Sequence, residues 1–478
     1  MRKLLWLTLA ACACQAAAID PARDILIRWP APEKVAFDAL KRLGAKVVFT
    51  APDDAAAKAW KDAGFEPVAE LSGAGAELEQ AIARAQKAGF TGVCYRAKDG
   101  ESAVRAIAAR HSGLAQFVIL TDEQVLWNVA PAIAILEGGM WPGVRPREGG
   151  RSGASESPWI DANSYLVEFL RGVNPGRPAL LAAKPPENTP TKIVRTPPHA
   201  VELALIEAVA AGGNALLTLQ EEYRKGRLSG EARAQKGWDA LVLTAAFLRA
   251  RGDCWRQPLA TRVALAATGV EQHGELLNMM YRRNAAPAVV TPAALPAFSL
   301  RGFRVLVASG VPAASAKAAL AFAAAGGELM AAPSESSDIS WVTKSGARKT
   351  GSEDDRDLYQ LGKGRIVAFR DPILDPSEFA LDVLDAEGWR TRDVRVIGAE
   401  PVVAIPRRLA SGGLSITLIN YGVRPLENFM LRVNGTYNSA SRVSPETAAP
   451  AALKATRAEG GTEIELRGLD RLAIIELH

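Results

Sequence analysis

A chain of 478 residues exceeds what one ordinary hydrophobic core organises, and its length predicts two or three domains. A hydrophobic share of 48% against 23% charged residues is that of a globular protein and excludes long disorder. The net charge of +5 comes from basic residues scattered singly among Asp and Glu, without the clustered stripe or interleaved aromatics of a nucleic-acid groove, so nucleic acid is set aside as a partner.

The chain opens like an export signal: Arg2 and Lys3 precede the apolar segment 4–13, and Ala16, Ala17 and Ala18 precede Ile19, which predicts cleavage after Ala18 and a periplasmic or extracellular address. Leu9-Ala10-Ala11-Cys12 also resembles a lipobox, in which Cys12 would carry the anchor, and both readings stay open. If Cys12 and Cys14 leave with the signal, Cys94 and Cys254 remain, read as two buried free thiols in a compartment that would permit a bridge. No later apolar run is long and charge-free enough to span a bilayer.

From Asp24 onward, β-rich runs alternate with helical patterns at 25–29, 46–50, 67–71, 92–95, 117–121, 133–137, 179–183 and 215–219. The early connections 32–43, 54–63, 75–88 and 101–111 carry apolar residues at threes and fours, and several end in Gly. Eight βα units in about 230 residues predict a closed TIM (β/α)8 barrel rather than an open doubly wound sheet. The sixth run lies in AIAILEGGMWPGVRP, residues 132–146, where Glu137 stands at the end of an apolar strand and Trp141 follows two glycines. Strand ends and the loops after them build the mouth of such a barrel, so a carboxylate beside an indole reads as a sugar site, against the alternative of a Glu that only caps a turn. The connection 138–178 carries Arg145, Arg147, Gly149, Gly150, Gly153 and Ser157, and is read in part as a loop that shapes the cleft.

A helix containing Trp238, Leu241, Val242, Ala245 and Leu248 closes the barrel. Strands at 262–267, 288–291, 303–308 and 328–332 then alternate with helices at 275–283 and 313–325, predicting a flavodoxin-like α/β domain that runs to about Leu384. It has no GxGxxG turn and no P-loop, and Ala308-Ser309-Gly310 stands where an amidotransferase-type sheet would carry its Cys, so no cofactor is expected. From Asp393 the pattern changes to short alternating runs at 394–397, 401–405, 414–420, 427–433, 462–466 and 473–477, which predict a small C-terminal antiparallel β-sandwich. The domain reading is therefore 1–18 signal, 19–257 barrel, 258–390 flavodoxin-like, and 391–478 β-sandwich.

Glycoside hydrolysis needs two carboxyl groups roughly 5 to 9.5 Å apart. Asp122 and Glu123 follow the fifth run and Glu137 ends the sixth, and neighbouring strands lie roughly 4.8 Å apart, so Glu137 with Asp122 is the expected pair and Glu123 the substitute. Glu222, beside Glu221, follows the eighth run, where a helix N-terminus explains it equally well. Lys184 and Arg195 on the loop after the seventh run are candidate binders of hydroxyls or of a substrate carboxylate, read equally well as solvated loop cations, and Trp127 joins Trp141 as a stacking surface. No pair among His111, His199, His273 and His478 has metal-ligand spacing, and no GxSxG elbow supports a Ser nucleophile.

Several stretches resemble the family 42 β-galactosidases and related glycosidase-like barrels: FLRARGDCW at 247–255, GELLNMM at 274–280, Gly326-Gly327-Glu328-Leu329, Ile416-Thr417-Leu418-Ile419-Asn420-Tyr421 followed by Ser444-Pro445-Glu446, and in the barrel Leu136-Glu137-Gly138-Gly139 and Ala211-Gly212-Gly213-Asn214-Ala215. The order of parts resembles theirs as well. The resemblance implies a glycoside hydrolase acting on an oligo- or polysaccharide, with the flavodoxin-like domain packing barrels into a ring. Enzymes of that class carry an acid/base Glu, usually after Asn, at the fourth strand end and a nucleophile Glu at the seventh. Here the fourth ends in Tyr95-Arg96-Ala97 and the seventh in Lys184, with Glu187 beyond two prolines. That departure opens a second reading, a catalytically inactive glycan-binding barrel. On assembly two readings stay open, a ring through the flavodoxin-like domain or a brace on its own barrel: in light scattering of the mature chain, a stable multimer lost on deleting 262–384 would place the contact in this domain, and a monomer mass across micromolar concentrations would reject the ring.

Overall fold

The computed structural model describes residues 19–138, 141–144, 160–183, 197–252, 254–388 and 390–478. Eight strands form a closed barrel: β1 (Ile25–Arg28), β2 (Ala45–Thr50), β3 (Glu66–Leu71), β4 (Gly92–Arg96), β5 (Ala115–Leu120), β6 (Ile133–Gly138), β7 (Leu180–Ala183) and β8 (Asn214–Leu217). Neighbours in sequence pair in parallel, and β1 closes on β8 with Leu26 opposite Leu216 and Ile27 opposite Leu217. All eight predicted runs fall on these strands.

Because side chains alternate across a strand, every second residue points into the barrel. Leu26, Val47, Phe49, Val68, Cys94, Phe117, Ile119, Ile135, Leu180 and Leu216 form that interior, with the Phe49 and Phe117 rings 5.0 Å apart edge to face. The alternate residues, such as Ile25, Ile27, Val48 and Val93, face the surrounding helices. These are α1 (Lys34–Leu43), α2 (Asp54–Asp62), α3 (Gly75–Ala88), α4 (Glu101–Arg110), α5 (Ser164–Val173), α6 (Pro198–Ala210), α7 (Glu221–Ser229) and α8 (Ala232–Ala250). Helix α1 stops where Gly44 takes φ 73° and returns its N–H to the carbonyls of Leu40 and Lys41, a left-handed cap that a side chain disfavours. The closing helix predicted around Trp238 is α8, which packs on α1 and α6.

Beyond the barrel, the strand order is Ala288–Val290, Val263–Ala266, Val305–Ser309, Glu328–Ala332, Gly364–Phe369, Arg356–Leu361, Arg348–Ser352. The first five pair in parallel in the 2-1-3-4-5 order of a doubly wound sheet, with α9 (Val270–Arg282), α10 (Ala313–Ala325), α11 (Ser340–Thr343) and α12 (Pro376–Glu387) among them. The last two are antiparallel and make the sheet mixed, which the sequence reading did not foresee. Arg348–Ser352 reads RKTGS, with no apolar alternation to mark it as a strand.

The remaining strands form two antiparallel sheets, one of four strands and one of five, enclosing Ile416, Leu418, Phe429, Leu431, Ile464 and Ile475. All six predicted runs lie in them. Ala440–Ser444, Thr447–Leu453 and Ala455–Ala458 are additional strands, built largely from Ala, Ser, Thr and Arg. Cys94 is a buried free thiol and Cys254 is half-buried, so the expectation of two buried cysteines holds for the first alone.

Helix α6 ties the barrel to the five-stranded sheet. Its sequence PHAVELALIEAVA is apolar on every side, as a helix covered all round should be, yet it buries Glu202 and Glu207. Glu202 accepts a 2.6 Å hydrogen bond from Thr244 Oγ1. Glu207 Oε2 accepts the backbone N–H of Asn163 at 2.9 Å and the Tyr421 hydroxyl at 3.1 Å, while Oε1 accepts Asn163 Nδ2 at 3.0 Å. Arg407, 1% exposed, donates to the Ala210 carbonyl at the end of the same helix at 2.7 Å and to the Gln257 carbonyl at 2.8 Å. Burial outweighs these hydrogen bonds and pushes the Glu207 carboxyl up to about 7. The folded state therefore holds a proton that the unfolded chain releases near the ordinary Glu value. This stability is present below about pH 4.5 and is lost as pH rises through 7. Denaturant unfolding at pH 5 and pH 8 is expected to show the wild type losing on the order of 2 kcal/mol more than Glu207→Gln over that interval, and parallel losses would contradict the assignment.

Candidate functional site

The alternation that fills the barrel with apolar residues also dictates its upper layer. Two positions beyond the inward Leu26 stands Arg28, beyond Val68 stands Glu70, beyond Cys94 stands Arg96, beyond Ile135 stands Glu137, and beyond Leu216 stands Thr218. Charged side chains thus meet at the carboxyl ends of the strands, where a parallel barrel opens. They line a cleft of about 940 Å³ whose walls include Leu71, Phe90, Tyr95 and Lys98.

Arg28 is the hub. Its Nε donates to Glu70 Oε1 at 2.7 Å, and its Nη1 donates to Glu137 Oε1 at 3.2 Å and lies 3.5 Å from Thr218 Oγ1. The other Glu137 oxygen accepts Arg96 Nη2 at 2.6 Å. Two carboxylates therefore share one guanidinium, and one of them is held by a second cation from the other side. Side-chain exposure grades the set: 9% for Glu137, 16% for Arg28, 36% for Glu70 and 52% for Arg96. Burial alone would lower the Arg28 guanidinium, but Glu70 and Glu137 hold it above its usual value. Burial raises the Cys94 thiol directly beneath, and the Glu70 charge adds to the effect, so this sulfur is an inert packing group.

Of the other expected site residues, the described ones do not line this cleft. Asp122 and Glu123 stand on an exposed single-turn helix, Asp122–Gln124, held by a capping box between Thr121 and Gln124. They are not among the residues lining this cleft. With Phe117 and Ile119 inward, Thr121 has the inward parity, and the chain leaves the extended conformation before Asp122. Burial raises the Asp122 carboxyl, and its charge in turn helps raise Tyr165 on α5 to about 12, after burial. Trp127 and Trp141 are half-buried against the main core, and the Trp141 indole N–H meets no acceptor among the described residues. Glu222 is exposed in the first turn of α7, beside Glu221, which pairs with Lys225 at 2.7 Å. Lys184, Glu187 and Arg195 lie outside the described residues. Arg28, Glu70 and Arg96 were missed as site residues, although a charge at the inward parity of an apolar strand marks each of them.

The end of β6 is tightly held. At Gly138, next to Glu137, a Cβ would stand 2.8 Å from Asn163 Oδ1, so only glycine lets α5 approach the strand here. Asn163 is the residue that Glu207 holds through two hydrogen bonds, which connects the acid of the cleft to the buried carboxyl of α6. Among the described residues no group of three or more His, Cys, Asp or Glu is placed to hold a metal ion, and no helix is long and apolar enough to cross a membrane.

No protein-family model matches the chain. No curated protein matches it. Among solved structures it is similar to alpha-L-fucosidase isoenzyme 2 from Paenibacillus thiaminolyticus, over 95% of this chain and 99% of that one, at 10% identity and a TM-score of 0.62. A rhamnosidase from Novosphingobium sp. PP1Y is similar over 95% of this chain and 44% of its own, at 13% identity and a TM-score of 0.48. The structural neighbours include glycosidases, and at these identities the likeness is one of fold.

Removing the hub leaves two carboxylates facing each other in a partly buried site. Arg28→Met is expected to cost about 3 kcal/mol in urea unfolding, whereas Arg96→Met, at the exposed end of the network, costs less than about 1 kcal/mol. Equal losses would show that Arg28 is not the hub.

Proposed function

We propose that this chain is an exported glycoside hydrolase-like protein acting on an oligo- or polysaccharide, with Glu137 and Glu70 as its carboxylate pair. The observation that carries the reading is the placement of both acids at inward strand ends of one cleft, joined through Arg28. The full-length likeness of fold to a fucosidase supports it. Within this reading, 19–257 is the catalytic barrel, 258–390 a flavodoxin-like brace or assembly domain, and 391–478 the sandwich, and the likeness to the family 42 β-galactosidases lies in this order of parts.

Hydrolysis needs one carboxyl to protonate the leaving oxygen and one carboxylate to attack or to activate water. Glu137 suits the second task, because Arg28 and Arg96 fix it from two sides and orient it before any substrate arrives. Glu70 is left for the first: only one of its oxygens accepts from Arg28, and to serve as the acid it must take up a proton against the pull of that guanidinium. Asp122, whose carboxyl burial raises, is the alternative acid, with Glu123 next to it. Arg96 is half exposed, so an entering sugar hydroxyl can take its place at Glu137 Oε2. With Asp122 as the acid, Trp127 and Trp141, which do not line the cleft of Glu70 and Glu137, would supply the stacking faces.

One observation favours the second reading, a glycan-binding barrel without turnover. Both oxygens of Glu137 already accept hydrogen bonds from arginines, as in a carboxylate used only to organise a pocket. A panel of aryl glycosides, α-L-fucosides among them, and of plant and bacterial polysaccharides decides between the two. Turnover that falls by about 100-fold or more in Glu137→Gln and in Glu70→Gln supports hydrolysis. Calorimetric binding of a glycan without product, retained in Glu137→Gln, supports the binding barrel. Neither turnover nor binding across the panel rejects both.

A further inference from the structure

A second cleft lies away from the barrel mouth, at the junction of α9, α12 and the first sandwich strand, Val394–Ile397, with a volume of about 320 Å³. Four of its lining residues are arginines: Arg282 and Arg283 at the end of α9, and Arg392 and Arg395 beside and on the strand. Glu400 is the one acid among the described lining residues. A helix C-terminus accounts for Arg282 and Arg283, because cations there oppose the partial negative charge of the last carbonyls. It does not account for Arg392 and Arg395, which come from a different element and face the same space.

The four guanidiniums are partly desolvated where they line the cleft. All four guanidiniums are held below their ordinary value, by burial first; Arg283 adds to the effect at Arg282 and Arg392, and Arg392 with Arg432 at Arg395. The acids that oppose this are not among the described lining residues: Glu378 and Asp375 for Arg283, Glu387 and Asp385 for Arg392, and Glu275 and Asp161 for Arg282. Burial and then Asp393 push Glu387 itself up to about 7, so near neutral pH it carries only part of a charge. Arg283 donates to Ser377 Oγ at 2.8 Å, and Arg392 Nε is buried without a hydrogen-bond acceptor among the described residues. The cleft also has an apolar side, formed in part by Leu381, which is 40% exposed.

We infer that this cleft binds a sulfate or phosphate group, carried either as the free ion or as an ester on a sugar. A tetrahedral dianion offers several oxygens at once to converging guanidinium forks and neutralises more than one of them, which a monocarboxylate does not. The apolar side would contact the carbon skeleton of an ester. The inference is independent of turnover at the barrel mouth and is tested by binding alone.

Calorimetry on the full chain at low ionic strength, with sodium sulfate, sodium phosphate, glucose 6-sulfate, glucose 6-phosphate and neutral glucose, is the experiment. One-site saturable binding of the oxyanions and none of glucose is expected, weakened about tenfold or more in Arg392→Ala/Arg395→Ala. Arg392→Lys/Arg395→Lys keeps the charge and most of the packing but loses the planar forks, so it is expected to bind more weakly than wild type and decides the matter if the alanine pair fails to fold. Esters binding about tenfold tighter than the free ions identify a sugar ester as the source, and equal affinities identify the free ion. Absence of saturable binding by every anion, or binding that neither double variant weakens, overturns the inference.

Discussion

Closure of the barrel between β1 and β8 is the constraint on which the rest of the chain depends. Once Leu26 sits opposite Leu216 and Ile27 opposite Leu217, the inward and outward parity of all eight strands is fixed, because a slip of one residue would exchange the two faces. The apolar layer then occupies the interior, and the residues two positions further on have no choice but to gather at the rim. Four of them are charged and only partly exposed. Such a set is stable only if its charges compensate, and the alternation Glu70, Arg28, Glu137, Arg96 provides that. The cleft is thus a product of the same register that builds the core.

A comparable balance operates between the barrel and the sandwich. Helix α6 is enclosed on all sides, so its polar groups must be satisfied by other parts of the protein. Arg407 reaches the carbonyl at its end, and Tyr421 with Asn163 reaches the carboxyl one turn earlier. The hydrophobic cluster that includes the outer barrel helices also contains Val403, Ile405, Ile474 and residues of the mixed sheet. The polar ties add direction to that contact, since a misdocked sheet would leave a buried carboxylate and a buried guanidinium without partners.

Much of the architecture was legible because burial on both faces of a parallel strand writes itself as a continuous apolar run. VVF, VCY, FVIL and AIL each stand out from their amphipathic neighbours. The strands that escaped notice, Arg348–Ser352 and Thr447–Leu453, are held by pairing with a neighbour more than by their own composition. In the site, Glu137 was legible because an acid breaks its run at the end. Glu70 and Arg28 obey the same parity but were read as ordinary strand residues, since looking for acids in the loops beyond the strands passes over charges within them. The position of Asp122 depends on a single helical turn, which hydrophobic periodicity does not specify.

The ties on α6 also bear on the order in which the chain matures. Arg407 follows its acceptor Ala210 by 197 residues, and Tyr421 follows Glu207 by 214. Vectorial synthesis therefore presents all eight barrel strands long before the groups that complete one of the barrel's own helices. Until the sandwich has emerged, the end of α6 lacks its guanidinium, and its carboxyl lacks the tyrosine hydroxyl. The nascent barrel is an unfinished body whose last stitches are sewn by the C-terminal strands, and a chain cut off before Arg407 lacks the parts needed to close its own seam.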